Sequence, residues 1–177
     1  MYCGNNRTAC SSQRQISEAM LRLMSQTSYN KISVSALCKE AGISRQTFYS
    51  LFNSMDNVIL YILREDCHKL PQKDIHGSSL DILCESYSSY ICHNNQFLKL
   101  LVENHIEYLL YNSIYDSFNH CCCCLGAISA EDQQYAAHFL AGGLTGVVRQ
   151  YCLTEPPQSA EVLGSHLKKL FSGKIFE

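Results

Sequence analysis

The sequence contains no long apolar run. Its longest uninterrupted run, Val58 to Leu63, is far too short to cross a bilayer. The first residues also lack the basic-then-apolar order of a signal peptide, so we expect a cytoplasmic protein that does not enter a membrane. In that compartment the 11 cysteines should stay reduced, and most of them fall at helix positions suited to a small buried hydrophobic residue.

Patterns typical of many enzymes are also missing. There is no Gly-rich phosphate loop, and the histidines have no recognisable nucleophile partner, so we expect a non-enzymatic protein without a cofactor. Alternating strand patterns and internal repeats are absent, whereas helical periodicity runs along the whole chain. With 46% hydrophobic and 17% charged residues, the composition is that of an ordinary globular protein. The prediction is an all-α fold.

A break between two domains is predicted at residues 70–79, which combine Pro71, Gly77 and two serines. It separates a first domain, residues 1–66, from a second, residues 67–177. The first domain carries seven Lys or Arg against five Asp or Glu, and the second carries seven against eleven. The small basic excess at the amino end permits an anionic partner without proving one.

Two short helices are predicted on either side of Gly42, in the stretch SVSALCKEAGISRQTFYSLFNS. Ser33 is placed to cap the first helix, Gly42 to end it in a left-handed conformation, and Ser44 to cap the second at once. Apolar residues of the second helix point inward and its polar residues point outward. This is the pattern of a helix-turn-helix, whose second helix enters the major groove of DNA, but an ordinary helical hairpin with a solvated face shares it.

The residues from Ala41 to Ser54 closely resemble the signature of the tetracycline-repressor (TetR) family of bacterial transcriptional regulators, and the similarity extends over about residues 12–66. The resemblance implies an Ω-shaped homodimer that binds a double-stranded DNA operator. Each subunit would have an N-terminal three-helix helix-turn-helix domain and a C-terminal helical ligand-binding and dimerisation domain. The DNA-binding residues that it implies are Ser33, Ser35, Ser44, Arg45, Gln46, Thr47, Tyr49 and Ser50.

Roles within this set follow the same resemblance. Arg45 and Gln46 would face base edges, and Thr47, Tyr49 and Ser50 would hold phosphates and fix the register. Ser33 and Ser35 would approach the DNA backbone or a base. Two positions depart from the family pattern: Met55 replaces a usual Lys, and Leu51 occupies a frequently polar position. Because one cationic phosphate contact is lost, we expect weaker and less salt-dependent DNA binding than in a typical member.

The second domain carries a weaker similarity to family members in the stretch FLAGGLTGVVRQY. Glycine inside a helix costs about 1 kcal/mol relative to Ala, so close approach of another helix should offset the glycines of this stretch. Packing within one subunit is the alternative. The predicted dimer-interface residues are Phe139, Gly142, Gly143, Gly146, Val147, Leu163, Leu167 and Leu170. A pocket for a small-molecule effector is expected near Tyr87, Tyr90, His93, Tyr111 and Phe118.

These patterns favour a repressor that an effector releases from DNA, and two alternatives remain open. The run Cys121 to Cys124 contains a C-x-x-C pattern and follows His120, which is compatible with a thiol- or metal-responsive regulator. A helix end with partly buried thiols explains the run equally simply. The modest basic charge is also compatible with a co-regulator that binds a protein partner and has weak DNA affinity.

Overall fold

The computed structural model describes residues 6–68, 80–120 and 129–173, and these ranges contain helices but no β-strand. The all-α prediction is therefore confirmed for the described residues. The chain divides into two compact units, Met1–Asp66 and Cys67–Glu177, which we call the amino-terminal unit and the carboxy-terminal unit. Among the described helices, none combines the length and apolar character that a membrane span requires.

The amino-terminal unit contains α1 (Arg7–Met24), a 3-10 turn (Tyr29–Lys31), α2 (Val34–Ala41), α3 (Arg45–Leu51) and α4 (Met55–His68). Helices α1, α2 and α3 pack against one another. The apolar residues that the periodicity assigned to the interior form the core of this unit. Its largest fully buried side chains are Ile16, Met20, Leu37, Phe48, Phe52, Ile59 and Leu63.

Helix α1 begins at Arg7, although its apolar stripe of Ile16, Met20, Leu23 and Met24 predicts a start only near Ser12. The cause is Asn6, whose side-chain oxygen accepts hydrogen bonds from the backbone N–H groups of Thr8 at 3.0 Å and Ala9 at 3.3 Å. Such a cap satisfies donors that would otherwise have no partner in the first turn. The helix therefore extends beyond the residues that its apolar face alone would define.

The carboxy-terminal unit contains α5 (Leu80–His93), α6 (Asn95–Glu103), α7 (Tyr108–His120), α8 (Ala130–Leu153) and α9 (Ala160–Phe171). Helix α8 packs against α6 and α7, and α9 packs against α5. A core cluster of Cys84, Leu144 and Leu167 joins α5, α8 and α9.

The contact between α5 and α9 includes a close approach of the two helices at Gly164 and a set of ion pairs at Lys168. A methyl group on Gly164 would lie only 3.2 Å from the Ser88 hydroxyl oxygen, so the absent side chain allows the two helices to approach. One turn further along α9, the Lys168 ammonium contacts the Asp81 carboxylate at 3.1 Å and the Glu85 carboxylate at 3.3 Å.

This packing corrects part of the predicted dimer interface. Leu163 and Leu167 are only 4% and 0% exposed within the single chain, because they face the interior of their own unit. Leu170 is 41% exposed near the carboxyl end of the same helix. The apolar stripe of α9 was therefore assigned to the wrong neighbour at two of its three positions.

Candidate nucleic-acid interface

The turn between α2 and α3 has the geometry that the sequence predicted. Gly42 ends α2 in the left-handed region with a φ of 67°. The Ile43 N–H donates to the Cys38 carbonyl at 3.0 Å, which closes the end of the helix before α3 begins. The chain thus reverses within a few residues and places α3 directly after α2.

Serine caps fix the starts of both helices. The Ser33 hydroxyl oxygen accepts from the Ala36 N–H at 3.1 Å, and the Ser44 hydroxyl oxygen accepts from the Thr47 N–H at 3.0 Å. Ser44 also shares a hydrogen bond of 2.9 Å with the Thr47 hydroxyl. Both predicted caps are confirmed, and the first turn of α3 is held in place by its own side chains.

Aromatic packing fixes the orientation of α3. Phe48 and Phe52 are fully buried, and their ring centroids lie 6.1 Å apart. Leu51 is also buried, so its departure from the family pattern places a core residue at this position. The Tyr49 ring meets Phe48 edge to face at 5.3 Å but remains 50% exposed. The interior contacts of α3 therefore determine which side chains face outward.

The outward face carries side chains suited to DNA. Arg45, Gln46, Tyr49 and Ser50 are exposed. An exposed guanidinium can bond guanine with two hydrogen bonds, and an amide can do the same to adenine. Within the described residues no acidic side chain forms an ion pair with Arg45, whereas Arg22 on α1 is paired with Glu40 at 2.8 Å.

The hydroxyl groups of the predicted set differ in their local bonds. Ser33 and Ser35 are exposed at the start of α2. The Ser50 hydroxyl donates to the Thr47 carbonyl at 2.8 Å, and Thr47 is half-buried beside Ser44. The Thr47 and Ser50 side chains therefore stabilise α3 as well as lining its surface.

A groove that the sequence did not predict lies next to this face. It measures about 360 Å³ and separates the first turns of α1 from α3. One wall is formed by residues of the first turns of α1 and the other by α3; the lining residues are Asn6, Thr8, Ala9 and Ser12 on the first side and Thr47, Ser50 and Leu51 on the second. No sequence pattern marks it, because the two walls are distant along the chain.

Residues 16–62 match the family model described as bacterial regulatory proteins, tetR family. The amino-terminal unit belongs to the TetR family. The matched segment contains the Gly42 turn, both serine caps and the whole of α3, so the resemblance seen in the sequence is confirmed where it was most specific.

Known relatives extend the similarity beyond this unit. The chain is 29% identical over 118 residues to the HTH-type dhaKLM operon transcriptional activator DhaS of Lactococcus lactis, a match covering 66% of the chain and 57% of that relative. Lin0861 from Listeria innocua superposes with a TM-score of 0.84 at 13% identity, covering 100% of this chain and 97% of that one. A TetR transcriptional regulator from Streptococcus agalactiae gives a TM-score of 0.65 at 16% identity, covering 93% and 95%. The similarity to the Streptococcus structure shows a TetR-like fold for the chain.

None of the five predicted effector residues lines either of the two cavities that described residues form here, so the effector site stays a prediction. Tyr87 and Phe118 pack against the cluster of Cys84, Leu144 and Leu167, and Tyr90 is buried. Tyr111 hydrogen-bonds through its hydroxyl to His138, and His93 is exposed. A cavity of about 340 Å³ lies between α8 and α9, and its lining includes Val147, Tyr151, Leu163, His166 and Lys169.

The thiol and metal hypothesis falls largely on residues that the structure does not describe. Cys121 to Cys124 lie outside the described residues, so their prediction stays open. Within residues 6–68, 80–120 and 129–173, no three His, Cys, Asp or Glu side chains are grouped so as to hold a metal ion. Cys38, Cys84 and Cys152 are buried, and burial raises the pKa of each thiol. Raised thiol pKa values disfavour the reactive thiolate at these three positions.

Proposed function

We propose that this protein is a transcriptional regulator that binds a double-stranded DNA operator through the exposed face of α3. The observation that carries the proposal is the orientation of Arg45 and Gln46 on a helix that is capped by Ser44 and held from behind by Phe48 and Phe52. A recognition helix ordered before it meets DNA loses little conformational freedom on binding. The family match over residues 16–62 supports the same conclusion.

Single substitutions on this face test the proposal. Arg45→Ala or Gln46→Ala should weaken binding to a selected operator by about 1 to 3 kcal/mol and relax the preference at one base position. Tyr49→Phe should weaken all DNA sequences similarly, because a phosphate contact carries no sequence information. Arg64→Ala, which removes the same charge from an exposed site on α4, is the control. Unchanged specificity in both the Arg45 and Gln46 variants would exclude base readout by α3.

We further propose that the protein binds DNA as a homodimer formed through one face of α8. This face exposes Tyr135 by 70% and Phe139 by 77%, and it continues through Gly142 and Gly146 to Leu153, which is 59% exposed. Large apolar side chains with this exposure are typical of a surface that meets another molecule. A two-fold contact is the simplest arrangement, because the same surface then covers its own copy.

The direction of regulation has two candidates. Repression with release by a small molecule is the first, and the cavity between α8 and α9 is within the size range of small-ligand sites. Activation is the second, because DhaS is described as an activator and its 118-residue match must extend into the carboxy-terminal unit. A reporter placed behind the selected operator distinguishes them: deleting the gene should raise expression under repression and lower it under activation.

A further inference from the structure

The groove between α1 and α3 contains hydroxyl groups that the fold itself does not use. Thr8 is exposed and Ser12 is half-buried, and both line the groove opposite Thr47 and Ser50. Within the described residues, neither the Thr8 nor the Ser12 hydroxyl forms a hydrogen bond. By contrast, Ser17 on the same helix donates its hydroxyl to the Gln13 carbonyl at 2.9 Å.

The backbone N–H groups of Thr8 and Ala9 at the start of α1 are not available as hydrogen-bond donors to a ligand in this groove. The side chain of Asn6 already occupies the N–H groups of Thr8 and Ala9. The donors that line this wall are therefore the Thr8 and Ser12 hydroxyls, and the Arg7 guanidinium is exposed in the same turn, outside the lining of the groove. Neutral hydroxyls and a guanidinium suit an anionic partner with several oxygen acceptors.

The position of the groove relative to the readout face identifies that partner. A helix of about 10 to 12 Å diameter fills a major groove of about 12 Å width, so its flanks meet the sugar–phosphate strands that border the groove. Thr47 and Ser50 form one such flank of α3, and they also form one wall of the groove. Thr8 and Ser12 lie across the groove from this flank.

We propose that this groove binds the DNA phosphate backbone beside the bases read by α3, with the Thr8 and Ser12 hydroxyls donating to phosphate oxygens. The inference rests on the proposed DNA binding and adds α1 to the surface that makes it. Contacts of this kind fix the register of the protein on the duplex and carry no sequence information. These phosphate contacts also offset part of the affinity that we expect to be lost because Met55 replaces a usual Lys.

The test compares adjacent serines. Ser12→Ala and Thr8→Val should each weaken binding to the selected operator by about 3- to 10-fold, the loss expected for one hydrogen bond. A scrambled duplex should lose affinity by the same factor. Ser11→Ala removes a hydroxyl from an exposed neighbour that does not line the groove, and it should bind like the parent. Full-length protein and fluorescence anisotropy at fixed salt provide the measurement.

Modified DNA makes the test independent of protein stability. In operators carrying one neutral methylphosphonate linkage, a single linkage position should remove most of the difference between the parent and Ser12→Ala. If no position does so, or if Ser12→Ala and Thr8→Val bind like Ser11→Ala while Arg45→Ala is impaired, the groove does not bind phosphate and the proposed function stands. If Arg45→Ala and Gln46→Ala also bind like the parent, both proposals are wrong.

Discussion

At the residue scale, replacing glycine by alanine should have opposite effects on stability at Gly42 and Gly143. Gly42 has a φ of 67°, in the left-handed region, whereas Gly143 lies inside the helix α8. An added methyl group would meet no atom within 4 Å at either position, so only the backbone conformation distinguishes them. Gly42→Ala should therefore lower the free energy of unfolding of the amino-terminal unit by about 1 kcal/mol through backbone strain alone. Gly143→Ala should raise that of the carboxy-terminal unit by up to about 1 kcal/mol. Urea unfolding followed by circular dichroism measures both, and effects of the same sign would contradict the assignment.

Tyr151 gives the carboxy-terminal unit a predictable response to alkaline pH. Burial, then a hydrogen bond and charge from Cys92, raise the pKa of this phenol from 10.0 to about 12, and its hydroxyl donates to the Gln158 carbonyl at 3.2 Å. Because the folded state holds the proton more tightly, the contribution to stability is complete below pH 10 and is lost as the pH rises towards 12.

Replacing this phenol separates its titration from that of the thiols. Tyr151→Phe should lower stability by about 1 kcal/mol at pH 8 through the lost hydrogen bond, and should make stability less dependent on pH above 10. Burial also raises the pKa of the Cys152 thiol to about 11, so the decline that begins near pH 9 should persist in the variant. Urea unfolding at pH 8, 9, 10 and 11 provides the comparison. An unchanged slope above pH 10 would show that Tyr151 is not responsible.

At the scale of the element, α8 combines exposed aromatic residues with glycines that its own unit does not require. A methyl group on Gly146 would meet no atom within 4 Å, so packing inside the subunit does not explain this residue. If α8 packs closely on its copy, Gly146→Ala should stabilise the isolated subunit yet weaken the dimer by at least tenfold, since the added methyl separates the helices. Sedimentation across a concentration series measures the dimer, with exposed Gln134→Ala as a control on the same helix. A variant that dimerises as the parent does would place the interface elsewhere.

Helix boundaries were predictable wherever a side chain marks them. Ser33, Gly42 and Ser44 mark the turn before α3. Pro156 and Pro157 predict that the long helix beginning near residue 130 stops near residue 153, and α8 spans Ala130–Leu153. The polar stretch from Thr27 to Lys31 predicts a turn, but it does not predict that Tyr29–Lys31 form a 3-10 helix. Local chemistry determines caps and reversals, so one stretch of sequence contains enough information to predict them.

Contacts between distant residues were less predictable. Helical periodicity identifies Leu163 and Leu167 as apolar positions but does not say which helices cover them, and the covering helices are α5 and α8 of the same chain. The groove between α1 and α3 escaped prediction for the same reason, because its walls are brought together by the fold of the whole unit. The exposed set on α3 was predictable because its core-facing residues belong to the same short helix.

At the scale of the whole molecule, the division into two units predicts that the first folds alone. Residues 1–68 include all of α1 to α4 and a core containing Ile16, Phe48, Phe52 and Ile59. A domain of this size is of marginal stability, so we expect a cooperative thermal transition with a few kcal/mol of stability. Circular dichroism of the fragment measures it. A chain that is helical only in the presence of residues 69–177 would show that the two units depend on each other.

The close approach of α5 and α9 has a consequence for how related sequences diverge. Ser88 and Gly164 lie far apart along the chain, yet a methyl group at 164 would come within 3.2 Å of the Ser88 hydroxyl. A larger residue can be accepted at one position only if the other becomes smaller or the helices separate. Across an alignment of close relatives, these two positions should therefore co-vary in size, and pairs with two large side chains should be absent. The same argument couples the charges at 168, 81 and 85, where reversal of the lysine alone would leave like charges facing one another.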